Sequence, residues 1–147
     1  MSTASEGPTD GVWCIVVAAG SGRRFGAPKQ FERIGDERVV DRSVRIAASV
    51  CDGVVLVLPS AAASEVVEHA TVTVAGGATR SESVRRGLDR VPPDAIVLVH
   101  DAARPLASPE LFERIIAAVR DGAAAAVPVV AVADTIRDVD RGVVDRD

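Results

Sequence analysis

An open, mostly parallel α/β sheet with helices on both faces is the fold class this sequence predicts, and three observations predict it. Apolar residues make up 48% of the 147 and aromatics only 3%, so the core must come from small branched side chains, the composition of strands buried on both faces. Short runs rich in valine, isoleucine and leucine alternate with segments of helical periodicity. The connections between them are short and punctuated by glycine or proline, as crossover units require. A chain of this length is one domain that buries roughly 68–70% of its unfolded surface.

Residues 1–11 form a polar tail with neither the basic nor the apolar region of a signal peptide. Val12 to Ala18 is a first buried strand, followed by a glycine-rich loop; Phe31 to Ile34 is a short extended piece, turned by Gly35-Asp36. Val40 to Ser49 places Val40, Val44, Ala47 and Ala48 at helical spacing with Arg42 and Arg45 outward. Gly53 to Leu58 is a second strand, ended by Pro59; Ser64 to Ala70 predicts a short helix with His69 on its surface, and Thr71 to Ala75 a third strand. Gly76-Gly77 breaks that strand, and Thr79 with Glu82 three residues on is a capping box, so a helix runs from there to about Leu88.

Pro92-Pro93 bars any continuation, and Ala95 to His100 is a fourth buried strand. Ser108-Pro109-Glu110 opens a helix with proline at its first position, and Gly122 stands where a C-terminal cap belongs. Ala123 to Val127 predicts a fifth strand, which closes an α/β domain spanning 12–133. From 134 to 147, Ile136, Val139, Val143 and Val144 flank charges around Asp140-Arg141-Gly142, the start of a hairpin arm that breaks off; the expectation is that these apolar residues lack the returning strand they would pair with.

Several function classes fall away at this level. The net charge of −4 weighs against a nucleic-acid or membrane-surface partner, both of which favour a basic face. The longest apolar run, Ala123 to Ala133, is interrupted by Pro128 and falls short of the ~20 residues of a membrane span. Cys14 and Cys51 have no metal-ligand spacing and predict reduced thiols in a cytoplasmic protein.

The chemistry concentrates in three loops. Val16 to Phe31, VVAAGSGRRFGAPKQF, runs from a strand into Ala18, Ala19, Gly20, Ser21 and Gly22, then places Arg23, Arg24 and Lys29 within one short stretch. Small residues let backbone N–H groups approach an anion, and the cations follow charge as it moves between phosphate oxygens. Of 17 basic residues Lys29 alone is lysine, a compact point charge kept in a chain that uses arginine everywhere else. This loop is one residue too long for the G-x-G-x-x-G dinucleotide fingerprint and lacks the G-K-[ST] of a P-loop.

The second loop, HDAARP from His100 to Pro105, sets Asp101 at a strand end, where a carboxylate can hold Mg²⁺ together with substrate phosphates; the alternative is that Asp101 caps the turn and pairs with Arg104. His100 reads as a structural ring beneath the site. The third, Gly76 to Ser83, brings two glycines and a helix N-terminus to the same end of the sheet. In open sheets ligands bind beyond the carboxyl ends of the strands where strand order reverses, in the common order between the first and fourth strands.

Together, AAGSGRR, PKQ, GG with arginine and serine downstream, HDAARP and Asp134-Thr135 resemble, in order and spacing, the 2-C-methyl-D-erythritol 4-phosphate cytidylyltransferases of the non-mevalonate isoprenoid pathway, from about Trp13 to the last residue. The resemblance implies a Rossmann-like domain of nucleotidyltransferase type. It also implies transfer from CTP to a sugar-alcohol phosphate, methylerythritol phosphate, giving CDP-methylerythritol and pyrophosphate, with Mg²⁺ as cofactor and a homodimer whose arms exchange. Carried over by position, Arg24 and Lys29 stabilise the pentavalent transition state. Ala18, Ala19, Gly20, Gly77 and Ser83 meet the nucleotide through backbone, with Ser21 and Gly22 in the same loop; Asp101 binds metal and faces both nucleotide and acceptor, and Arg104 and Thr135 lie on the sugar-phosphate side.

Val17 replaces a proline common in the family and Ala78 a commonly acidic residue, which implies a changed fit around cytosine. Family members continue well beyond Asp147, so these residues alone are expected to turn over poorly. The alternatives are a ribitol-5-phosphate cytidylyltransferase, whose family usually reads LAGG where this chain has Val17 to Gly20, and an inactive nucleotide-binding fragment.

Overall fold

The computed structural model describes residues 11–20, 29–131, 139–140 and 143–144. In chain order these form β1 (Val12–Val17), a 3₁₀ turn (Lys29–Phe31), β2 (Arg33–Ile34), β3 (Glu37–Arg38), α1 (Val39–Ala48), β4 (Gly53–Leu58), a second 3₁₀ turn (Ser60–Ala62), β5 (Val72–Ala75), α2 (Arg80–Leu88), β6 (Ile96–Asp101), α3 (Pro109–Arg120), β7 (Val139–Asp140) and β8 (Val143–Val144). The four longer strands make one sheet in the order β5-β4-β1-β6 with every pairing parallel. Strand order therefore reverses between β1 and β6, as expected for the first and fourth of these strands.

Alternation along β1 divides the core. Val12, Cys14 and Val16 face α1 and α3 in one apolar layer with Val54, Leu56, Leu58 and Leu98. Ile15 turns to the opposite layer with Val55 and Val57, flanked by Trp13, Val17, Val72, Val74 and Val97. There α2 packs so closely that a Cβ on Gly87 would lie 2.6 Å from Ile15 Cγ2. Helices thus cover both faces. Ile15, Leu56 and Leu58 are fully buried, and burial of side chains of this size contributes about 1.5–3 kcal/mol each. On α1, the buried Val40, Val44 and Ala47 recur at helical spacing, and from α3 Phe112 and Ile116 reach the same layer.

Capping signals operate as read. The Thr79 hydroxyl accepts the Glu82 N–H and starts α2. Gly122, at φ +105°, ends α3: its N–H donates to Val119 O at 3.0 Å and the Ala123 N–H to Ala118 O at 3.1 Å, the paired bonds of a Schellman motif. Gly35, at φ +62°, turns β2 into β3.

Two predicted elements are absent. Residues 64–70 form turns rather than a helix; Val66 is 94% exposed while Val67 is buried, and His69 takes φ +67° on the surface. Seven residues with one inward apolar side chain and adjacent β-branched valines do not offset the cost of helix nucleation. Ala123 to Val127 forms no strand and lies beside the outer edge of β6, lining a hollow of about 750 Å³ there without pairing. Four consecutive alanines have weak strand preference and Pro128 removes a ladder donor. At the arm Val139 pairs with Val144 and Asp140 with Val143, antiparallel, where no returning partner was expected for these valines; Ile136 lies outside the described residues.

Candidate active site

The site grows out of the ends of the central strands. Val17 pairs with Val57 on one side and Asp101 on the other, and the ladders continue one step further, with Ala18 N–H donating to Val57 O at 2.8 Å and Ala102 N–H to Val17 O at 3.0 Å. Both alanines are buried, so the loop floors are fixed by backbone. Beyond them Gly20 is held by Gln30, itself only 6% exposed, whose Nε2 donates to Gly20 O at 3.0 Å.

The loop after β5 is tied from within. Gly76 N–H donates to Leu58 O at 2.7 Å, and a Cβ on Gly76 would fall 2.3 Å from Ala19 Cβ, so only glycine lets this loop approach the one after β1. Gly77 N–H donates to Ser83 Oγ at 3.1 Å, and Ser83 Oγ donates to Thr79 O at 2.9 Å. Ala78 N–H donates to Glu82 Oε2 at 2.8 Å; that bond first, then the Arg86 guanidinium, holds the Glu82 carboxyl below the usual carboxylate range. Arg86 also donates to Gly76 O at 2.9 Å.

The loop after β6 is fastened from α1: the fully buried Ser43 donates to Ala102 O at 2.9 Å and Arg42 to Pro105 O at 2.9 Å. Asp101 accepts at Oδ1 from Arg80 Nη2 at 2.8 Å and Nε at 3.1 Å, and Arg104 Nε stands 3.8 Å from Oδ2. Beneath, the His100 ring meets Phe112 edge-on at 5.1 Å between centroids, and burial pushes the imidazole below its ordinary pKa.

These three loops enclose a cavity of about 800 Å³ at the switch point, within the range of small-molecule sites. Of the residues predicted from sequence, Ala18, Ala19, Gly20, Gly77, Ser83, Asp101 and Arg104 line it together. Lys29 is exposed at the start of its 3₁₀ turn, next to Gln30 but not on the cavity wall. Ser21, Gly22, Arg24 and Thr135 lie outside the described residues. Ser83 contributes differently from a free ligand group, since its hydroxyl is spent on the loop. Sequence reasoning gave Gln30 and Arg80 no role of their own; the first was visible only as part of PKQ, and the second only as the arginine downstream of Gly76-Gly77, inside a capping box.

Among the described residues no group of three or more His, Cys, Asp or Glu is arranged to hold a metal ion. Asp101 is a lone carboxylate at the cavity wall, which fits a Mg²⁺-type cation carried mainly by phosphates and does not fit a caged resident metal.

Sheet order and loop placement together are those of the nucleotidyltransferase class of α/β proteins. The chain belongs to the 2-C-methyl-D-erythritol 4-phosphate cytidylyltransferase family, whose sequence profile matches residues 12–146. A cytidylyltransferase of that name from Streptomyces coelicolor is 44% identical over 141 residues, covering 86% of this chain and 52% of the relative. The crystal structure of 4-diphosphocytidyl-2C-methyl-D-erythritol synthase from Anaerococcus prevotii superposes with a TM-score of 0.76 at 29% identity, over 92% of this chain and 62% of that one. A Mycobacterium tuberculosis protein solved in complex with manganese superposes at 0.62 and 25% identity, over 78% of this chain and 62% of that one. The chain spans about half the length of the curated relatives it matches.

Proposed function

We propose that this chain binds CTP in the 800 Å³ cavity and serves cytidylyl transfer to 2-C-methyl-D-erythritol 4-phosphate. The observation that carries the reading is the convergence of the alanine-glycine loop, the Gly76-Gly77 loop and Asp101 at one switch point in a member of this family. A phosphate oxygen of the acceptor attacks the α-phosphorus of CTP; the new O–P bond forms as the bond to the β-phosphate oxygen breaks, and pyrophosphate leaves. The attacking group is already anionic, so no general base is required and rate comes from positioning and charge. Lys29 and Arg24 neutralise charge on the pentavalent phosphorus, and the backbone of Ala19 to Gly22 meets the phosphates; the N–H groups of Ala18 and Gly77 are already bonded to Val57 O and Ser83 Oγ, so these two residues meet the nucleotide through the rest of their backbone. Ser83 sets the loop that carries Gly77. Arg104 and Thr135 face the acceptor.

A Mg²⁺ ion held in the cavity would supply withdrawal of charge from the phosphates of the substrate. Asp101 is the carboxylate that would hold it, and the manganese complex of the mycobacterial neighbour supports a divalent cation in this fold. The reading extends to a cytoplasmic homodimer joined through the β7–β8 hairpin, with no nucleic-acid or membrane partner. The acidic net charge supports it, and no helix among the described residues is long and apolar enough to cross a membrane.

Calorimetric titration of CTP, UTP and ATP with and without Mg²⁺, on wild type and Asp101→Asn, tests the proposal. CTP should bind best and only with metal, and Asp101→Asn should lose the metal dependence while keeping the melting temperature of the unliganded protein. Equal binding of the three nucleotides, or an Asp101→Asn variant that melts lower and keeps its metal dependence, would overturn it. Pyrophosphate release should be faster with methylerythritol phosphate than with ribitol 5-phosphate.

A further inference from the structure

Arg80 reaches from the first position of α2 to the end of β6, so one side chain spans the cavity between the second and third loops. Its two donors, Nε and Nη2, converge on the same oxygen of Asp101, Oδ1, where a fork-to-fork pair would engage both oxygens. Arg80 and Asp101 are 59% and 36% exposed, and ion pairs this open to water are weak. The backbone at Arg80 is secured by the Thr79 cap, so the guanidinium can change partner by side-chain rotation alone. It does so at a helix N-terminus, where a phosphate is favoured, and guanidinium recognises phosphate at least as well as carboxylate.

We propose that Arg80 is an exchangeable counter-ion: it holds Asp101 while the cavity is free of nucleotide and passes to the polyphosphate of the incoming nucleotide, which releases the carboxylate to the divalent cation. The proposal rests on the reading of Asp101 as the cation's ligand. Charge balance requires the exchange, because a divalent cation and a guanidinium in contact with the same oxygen repel each other, whereas the polyphosphate that arrives with the cation attracts both.

The test separates cation from nucleotide. Mn²⁺ binding without nucleotide is followed by electron paramagnetic resonance, and CTP binding in the presence of Mg²⁺ by calorimetry, for wild type, Arg80→Gln, Arg80→Lys and Asp101→Asn. Arg80→Gln should bind Mn²⁺ alone about threefold more tightly, the scale of an exposed ion pair, and CTP with Mg²⁺ about tenfold more weakly, the scale of one charge-assisted hydrogen bond. Arg80→Lys keeps the charge but not the fork and should also bind Mn²⁺ more tightly than wild type; wild-type behaviour here would reduce Arg80 to its general field and overturn the exchange. Weakening of both ligands in Arg80→Gln would mark a merely structural residue and overturn it too. The two readings fail separately: an Asp101→Asn variant with wild-type Mn²⁺ affinity removes the metal reading, whereas loss of affinity in Asp101→Asn with no change in Arg80→Gln removes the exchange alone.

Discussion

Lys29 enters the structure through its neighbour. Gln30 is buried and bonded to Gly20, so the two ends of the basic loop are joined at the base, and the lysine stands exposed beside a residue that lines the cavity. If Lys29 answers charge that develops only in the transition state, Lys29→Ala in the full-length enzyme should lower kcat by about 10²–10³ with little change in CTP affinity. Lys29→Arg should recover little of it, and pyrophosphate release at the wild-type rate from Lys29→Ala would remove the role. His100 gives a pH signature. Its folded pKa is lowered, mainly by burial, so below about 6.5 the unfolded chain takes up a proton that the folded chain resists. Stability should therefore be fully present above that pH and fall as pH drops from 7 toward the folded pKa. His100→Gln should flatten this part of a melting-temperature profile, and parallel profiles would show that the ring does not contribute. The place of Asp101 and Arg104 on the cavity wall was legible because both sit in a distinctive motif, whereas Lys29, marked out as the one lysine, lies exposed off that wall. Arg80 was not legible, since its partner lies 21 positions away and only the order of the strands brings the two loops together.

At the scale of elements, the sequence signals that proved sufficient were those that satisfy backbone groups locally. Thr79 starts α2 and Gly122 ends α3 with hydrogen bonds made inside the motif, so no distant partner has to be known. The expectations for 64–70 and 123–127 failed for the opposite reason, because apolar content says nothing of whether a face or a strand edge is there to receive it. One tight joint between elements is Gly76, where a Cβ would fall 2.3 Å from Ala19 Cβ and 3.0 Å from Ser83 Oγ. A methyl group there must push two loops apart, an overpacking cost of about 1–3 kcal/mol. Gly76→Ala should melt lower by roughly 2–4 °C for each kcal/mol at this size and should bind CTP more weakly, since it widens the cavity floor. Unchanged melting temperature and affinity would mean that the loops yield freely.

For the molecule as a whole, a ligand that binds only the folded state adds its binding free energy to stability. CTP with Mg²⁺ at a hundredfold its Kd should contribute about 2.7 kcal/mol, or roughly 5–10 °C in melting temperature. Omitting the metal should abolish most of the shift, and a metal-independent shift of the same size would contradict the role given to Asp101. The sheet order behind this site follows from strands that the apolar runs marked; among the described strands, the pairing of the arm and the edge beside β6 departed from expectation. The contact between Ala19 and the bare α-carbon of Gly76 has a consequence for how such a site changes over generations. The two loops share one fixed allotment of space, so bulk gained at position 19 must be given up at 76, where nothing remains to give. Diversification of the pocket is thereby channelled to positions such as 78, whose side chain stands clear of that joint.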